Sequence, residues 1–429
     1  MIQPGDDLKV LVPGKLIDGV KATPQKGMAV AFQNGLITWV GRKGDLESVS
    51  KERNLEIAEY PNSTLLPGLF DCHTHTNMPG DGRTGEDIDR DNDDIRLLRA
   101  ARNTAAAVST GVTSLCDCGS WNKTGFSLKA GLGQGLADGP RVLVSGPPLT
   151  VTGGHLWYMG GEANGTDGVR QQVRSLIKEG ADFIKIAASG GSTLTSDPYR
   201  PAYSPEEMQA IVDEAHNRDR PVLAHCRCTA AINLALDAGV DAILHCSFFD
   251  ADGTYQFDDA TADRLAASDT WLNPTIHMGR ASRTALKQLK LERALTAAEQ
   301  ERLDRSLRMG GVAVEQFGRL VQAGVKLIGG SDCGWSYYPF GDFQGELLAL
   351  ADCGLSSMQA ILAGTLNSAT ALRLQDTTGS IEKGKAADLL LVEGDPVEDL
   401  AALRRVTAVF KAGAPVESAR PATATAPLS

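Results

Sequence analysis

The sequence predicts an α/β protein: a parallel (β/α)8, or TIM, barrel with a small β unit assembled from both ends of the chain. Three observations carry that reading. From Leu65 onward, apolar strand-like runs alternate with amphipathic helical stretches, the pattern of a parallel sheet covered by helices. β-rich segments precede Leu65 and return near Gly379. Histidines fall just past several of the strand-like runs, where a barrel of this kind carries its chemistry. An open doubly wound sheet is the alternative, but no Gly-x-Gly-x-x-Gly follows the first strand.

Residues 8 to about 64 read as short strands, Lys9–Val12, Met28–Phe32 and Leu36–Val40, with Asn34-Gly35 as a hairpin signal between the last two. Eight barrel-strand candidates follow: Leu65–Asp71, Val112–Cys116, Arg141–Ser145, Asp182–Ile186, Pro221–Ala224, Ala242–Leu244, Trp271–Asn273 and Lys326–Gly329. Of the helices between them, Asp94–Ser109 carries its apolar residues at Ile95, Leu98, Ala101, Ala105 and Val108. Another, Ser204–Arg218, opens on the cap and first turn Ser204-Pro205-Glu206-Glu207. Past Gly379, Ala387–Val392 and Val406–Phe410 are strand-like but too short to bury a core alone. They are expected to complete the N-terminal β unit, since chain ends commonly lie close together. The expected organisation is 1–64 (β unit), 65–372 (barrel), 373–418 (rest of the β unit) and 419–429, a flexible tail rich in Ala, Pro and Thr.

The 429 residues are 42% hydrophobic and 22% charged, which gives a soluble protein with a large core. A formal net charge of -11 argues against a nucleic-acid partner. No stretch approaches the ~20 apolar residues of a membrane span. The start of the chain lacks the charged and apolar regions of a secretory signal. The eight cysteines show neither a disulfide framework nor paired zinc-finger spacing, so they read as reduced packing residues of a cytoplasmic protein.

The chemistry-bearing residues gather at strand ends. His73 and His75 leave the first strand one residue apart, so both side chains share a face and can clamp one metal ion. His225 follows the fifth strand, His245 the sixth, and Asp332 closes Gly329-Gly330-Ser331-Asp332 after the eighth. Each histidine taken singly reads more readily as a satisfied core residue. Four of seven histidines at strand ends, together with a strand-end aspartate, point instead to one shared cation site. Lys185 lies inside an apolar strand, where an unpaired charge is costly. Either it pairs with a buried carboxylate, or its neutral amine has reacted with carbon dioxide to give an anionic carbamate.

Asp71-Cys72-His73-Thr74-His75, Lys185, His225, His245 and Asp332, with β segments at both ends, resemble the amidohydrolase superfamily over nearly the whole chain. The resemblance implies a distorted barrel with a β-sandwich. It implies a divalent metal cofactor, usually Zn²⁺, with His73, His75 and Asp332 around the first ion and His225 and His245 around the second. A carboxylated Lys185 would bridge the two. The reaction implied is hydrolysis of a C–N bond of amide, urea or carbamate type. Bound water with its pKa lowered to about 7 supplies hydroxide, and Asp332 acts as general acid and base.

The run Thr152-Gly153-Gly154-His155 resembles the branch with imidazolonepropionase-like and prolidase-like enzymes, with a further likeness to phenylurea and thiocarbamate hydrolases. That likeness implies that His155 polarises the substrate carbonyl or holds its anionic intermediate. Trp157, Tyr158, Met159, Trp335 and Tyr338 are expected either to wall a substrate pocket or to pack at the barrel mouth. His277 either touches substrate or begins a helix, Asn77 orients the strand-one histidines, and Arg227 meets a substrate carboxylate or a surface carboxylate. The aromatic loop favours a small aryl or apolar substrate. The alternatives are an Xaa-Pro or N-acyl amino acid peptidase-like hydrolase, a mononuclear deaminase and, outside enzymes, a metal-binding scaffold. A homo-oligomer is the ordinary default.

Overall fold

The structure, a computed structural model, describes residues 8–48 and 55–417. The tail expected at 419–429 lies outside the described residues. Strands β1 (Leu8–Leu16), β2 (Met28–Gln33), β3 (Leu36–Arg42) and β4 (Leu55–Pro67) come from the start of the chain. They share one seven-stranded sheet with three strands from its end. These are labelled here, by their place in the chain, β12 (Leu389–Glu393), β13 (Val406–Lys411) and β14 (Ala414–Pro415). The order is β14-β13-β12-β4-β1-β2-β3, so both chain ends build one unit. Alternation along the strands sends Leu8, Val10, Val12, Ala29 and Ala31 to one face and Leu11, Val30, Phe32, Leu65, Leu389 and Leu391 to the other. Asn34 and Gly35 have φ of 51° and 81°, the two left-handed residues of the hairpin turn the sequence predicts.

This sheet curls on itself. Phe32 of β2 and Phe410 of β13 are separated by β12, β4 and β1, yet their ring centroids lie 5.6 Å apart. The Ile37 N–H donates to the Lys385 carbonyl, and the Ala387 N–H to Gly35, each at 2.8 Å, across the same closure.

The remaining strands are parallel. β5 (Leu69–Thr74), β6 (Val112–Asp117) and β7 (Arg141–Val144) form a three-stranded sheet. β8 (Ile184–Ala187), β9 (Val222–Cys228), β10 (Ala242–Phe249) and β11 (Trp271–Asn273) form a four-stranded one. Backbone hydrogen bonds connect the two. The Leu149 N–H donates to Lys185 at 2.8 Å, and Ala187 donates to Leu149 at 2.8 Å. On the other side, Leu272 donates to Lys326 at 2.9 Å and Cys72 to Gly329 at 2.9 Å.

Two expectations change. The apolar run from Leu65 is divided: Leu65–Pro67 ends β4 and pairs with β12 in the terminal sheet, and the parallel strand starts at Leu69. Gly68 turns between them, and a Cβ there would sit 2.1 Å from Thr113 Oγ1. Lys326–Gly329 forms no regular strand; only a bridge between Leu272 and Leu327 marks it. Glycines at 329 and 330 offer no side chain to pack on a pleated surface.

The helix Asp93–Ser109 also buries a different face from the apolar one. Ile95 and Leu98 are 46% and 68% exposed, while Arg96, Ala100, Asn103 and Thr104 are buried. The cause is polar. Asn103 Nδ2 donates to the carbonyls of Thr76 and Met78, and Arg96 to those of Ile88 and Asp89. The helix therefore satisfies the loop that follows His75. The helix Pro205–His216 begins as predicted, with Ser204 and Glu207 in a reciprocal capping box. All eight cysteines are free and buried. Among the described residues no helix is long and apolar enough to cross a membrane.

Candidate metal centre and active site

Asp71 ties the two ends of the chemistry together. Its Oδ1 accepts from the backbone N–H groups of His73 (3.2 Å) and Ser331 (2.9 Å), and its Oδ2 from Ser331 Oγ (2.6 Å). The Asp332 N–H then donates to the His73 carbonyl (2.6 Å) and the His75 N–H to that of Cys333 (3.1 Å). Residues 258 positions apart are thereby docked side by side. The backbone is strained at Asp332 and, on β10, at His245, Cys246 and Phe248, all with positive φ between 47° and 71°, a conformation non-glycine residues rarely adopt.

The result is a convergence of acceptors. His73 Nε2 and His75 Nε2 each lie 3.5 Å from Asp332 Oδ1, a buried oxygen without a hydrogen-bond partner. The far nitrogens are occupied. His75 Nδ1 donates to the Gly119 carbonyl (3.1 Å). His73 Nδ1 donates to Asn273 Oδ1 (3.0 Å), whose own amide nitrogen donates to Gly330 (2.9 Å). Both Nε2 atoms therefore present lone pairs. Burial holds both imidazoles well below their ordinary pKa, so they are neutral. Two lone pairs and a carboxylate oxygen facing one another are mutually repulsive until a cation sits between them. His73, His75 and Asp332 can hold a metal ion.

Other predicted residues crowd the same space. Lys185 is 1% exposed, and its Nζ is 3.2 Å from His73 Nε2. Burial lowers its pKa. The His225 and His245 ring centroids are 4.5 Å apart, and His245 is 5.2 Å from His73. His245 Nδ1 donates to Thr275 Oγ1 (2.8 Å), whose hydroxyl donates onward to Pro274. His225 Nε2 donates to the Gly190 carbonyl (3.1 Å), which leaves Nδ1 free. His155 lies 4.5 Å from His225, ring to ring, with its Nδ1 at Thr193 Oγ1 (2.9 Å). It packs against Gly191, where a Cβ would come within 2.5 Å of its Nε2. Burial pushes Asp332 up to about 7, against the opposing pull of Lys185 and Arg227. His73, His75, His155, Lys185, His225, His245 and Asp332 line one cavity of about 470 Å³, together with Arg227 and Trp335.

The other aromatic, methionine and histidine candidates are not among the residues lining this cavity. Tyr158 and Met159 join Met78, Ile88, Trp121 and Leu156 in an apolar cluster that meets the cavity at Leu156 and Trp335, with Tyr158 stacked on Trp121 at 5.4 Å. Trp157 packs edge-on to Tyr158. Tyr338 is buried, its hydroxyl donating to the Asp342 carbonyl. His277 Nε2 pairs with Asp342 (2.9 Å), one residue into the helix Ile276–Glu292. Asn77 accepts from Trp121 and Thr124 and donates to the Arg96 carbonyl. Of the aromatic residues singled out from the sequence, Trp335 is the one at the cavity, 5.3 Å from the His75 ring. Sequence reasoning missed Asn273 and Thr275. Their signal was position: Asn273-Pro274-Thr275 directly follows the seventh strand candidate.

A family model described as "Amidohydrolase family" matches residues 64–416. The chain belongs to the amidohydrolase family. It is an enzyme, a hydrolase of carbon–nitrogen bonds. Ochratoxinase of Aspergillus niger is 27% identical to it over 450 residues, covering 95% of this chain and 87% of the relative. Imidazolonepropionase of Anaeromyxobacter dehalogenans is 25% identical over 420 residues, covering 92% and 91%. Among solved structures, an Xaa-Pro dipeptidase with methionine bound in its active site superposes with a TM-score of 0.82 at 26% identity. That match covers 95% of this amidohydrolase and 99% of the other chain.

Proposed function

We propose that this amidohydrolase cleaves an amide C–N bond in a small substrate whose leaving amine carries a carboxylate, as in a dipeptide or an N-acyl amino acid. The observation that carries the chemistry is the meeting of His73 Nε2, His75 Nε2 and the unpartnered Asp332 Oδ1. In this reading His73, His75 and Asp332 hold one divalent ion and His225 and His245 a second. Lys185, as its carbamate, would add anionic oxygen donors to that set. Imidazole nitrogen and carboxylate oxygen suit Zn²⁺. Ions in such a site lower the pKa of water to about 7 and polarise a carbonyl.

Asp332 takes a proton from the attacking water and passes it to the leaving nitrogen. His155, fixed through Nδ1, holds the carbonyl oxygen as it gains charge. Arg227 lines the cavity without an ion-pair partner among the described residues, and its planar fork suits the substrate carboxylate. The likeness to an Xaa-Pro dipeptidase supports that choice. A neutral aryl urea or carbamate would leave Arg227 unmatched, and a mononuclear deaminase would leave Lys185 without a role. For the scaffold, the same reading closes the two parallel sheets through 326–329 into a distorted (β/α)8 barrel. The curled terminal sheet is then its β-sandwich, with the first boundary at Gly68.

The test is a hydrolysis screen over X-Pro dipeptides, N-acyl amino acids, phenylureas and carbamates, with metal analysis of the same sample. Turnover is expected on the first two classes, lost with chelator and restored by zinc, cobalt or manganese. Activity that survives complete metal removal, or that is confined to uncharged ureas and carbamates, refutes the reading.

A further inference from the structure

The cavity is cationic inside an acidic chain. Six arginines reach it, Arg83, Arg227, Arg280, Arg283, Arg302 and Arg305, against the carboxylates of Glu86 and Asp332. Three are neutralised by neighbours: Arg83 by Asp81 (2.9 Å), Arg280 by Asp352 (2.5 Å) and Arg305 by Glu301 (3.8 Å). Among the described residues, Arg227, Arg283 and Arg302 have no carboxylate within ion-pair distance.

Arg283 and Arg302 come from a helical hairpin, Ile276–Glu292 and Ala297–Gln322. Arg283 Nη1 donates to the Ser306 carbonyl (3.1 Å) and lies against Gly310, where a Cβ would sit 2.6 Å from it. Arg302 Nη1 donates to Ser336 Oγ (3.2 Å). Ser336 shares a 2.8 Å hydrogen bond with Ser282, the neighbour of Arg283. Ser336 also follows Trp335, which packs on His75, so a short run of contacts connects this pair to the histidines. Both guanidinium side chains are half-buried. With only neutral acceptors they lose hydration and gain no counter-charge. Both residues line the cavity, and a planar guanidinium fork suits a carboxylate.

We propose that Arg283 and Arg302 form a second anion subsite, distinct from Arg227, so that the preferred substrate is a dianion. One carboxylate lies beside the scissile bond and the other at the far end of the molecule, against the hairpin. The inference rests on the reading that Arg227 takes the first carboxylate. Phe249, Tyr255, Met309 and Phe317 line the same cavity and suit the hydrocarbon between the two charges.

The test needs no turnover. The metal-loaded enzyme is titrated calorimetrically with straight-chain dicarboxylates from succinate to suberate, and with monocarboxylates of matching length. At least one dicarboxylate is expected to bind about tenfold or more tightly than its monocarboxylate. Arg283→Met or Arg302→Met should remove that preference, and Arg302→Lys should retain part of it. Dicarboxylates that bind no more tightly than monocarboxylates in the unmodified enzyme overturn the subsite, as does a preference that persists in the Arg283→Met/Arg302→Met double variant. Dicarboxylate preference without C–N hydrolysis would sink the reaction reading and leave the subsite standing. Hydrolysis of monocarboxylate amides without the preference would do the reverse.

Discussion

Asp117 shows how burial is used at single residues. Its Oδ1 accepts from the Thr76 N–H (3.0 Å), directly after His75, and burial pushes its pKa from 3.8 to about 7. The unfolded chain releases this proton near the lower value and the folded chain near the higher. Between the two, the folded state holds more protons, so stability falls as pH rises. Asp117→Asn removes that titration and keeps the Oδ1 acceptor. Its stability relative to the parent should therefore increase from about pH 4 to about pH 8, measured by urea unfolding at matched metal content. A difference that stays flat with pH would contradict the buried-carboxylate account. The site was legible from the sequence where chemistry demands rare residue types: His73, His75 and Asp332 stand out by identity and by position after apolar runs. Asn273 and Thr275 did not, because Asn and Thr after a strand are ordinary turn residues. Their work as histidine orienters appears only once Nδ1 partners are known.

At the scale of elements, hydrophobic patterning located most strands and misjudged two kinds of feature. It could not see that Leu65–Leu69 serves two sheets, because a run buried on both sides reads the same in either. The exchange is confined to Gly68, whose Cβ position is filled by the β-branched, fully buried Thr113. Gly68→Ala should cost about 1–3 kcal/mol in chemical denaturation, the usual penalty of overpacking; a change under about 0.5 kcal/mol, typical of surface sites, would show that the crossing is slack. Patterning also assumed that helices bury their apolar side. Asp93–Ser109 instead buries Arg96 and Asn103, because the carbonyls of the loop after His75 need donors more than the core needs Ile95 and Leu98. For the Trp157–Met159 loop, patterning left pocket wall and packing both open; Tyr158 stacks on Trp121, and Trp157 packs edge-on to Tyr158.

At the scale of the molecule, the composition anticipated a large core, and the short β segments at both ends anticipated one β unit made from them. Composition gave no hint of the cationic cavity, since a net charge of -11 averages over an interior lined by arginines. The shared sheet makes the chain end indispensable. A protein stopped at residue 386 loses β12–β14, leaves the Ser63–Pro67 edge of β4 unpaired, and takes Asp388 from its 2.7 Å pairing with Arg141. Such a truncation should show no cooperative unfolding transition and no retained metal. Native-like melting of the shortened chain would mean that the terminal sheet is dispensable. The pairing of β4 with β12 also governs synthesis in the cell. While the ribosome makes the residues between them, β4 waits with an open edge, a ready template for unwanted association. That edge is covered only once Leu389–Glu393 has been made, nearly the whole chain later.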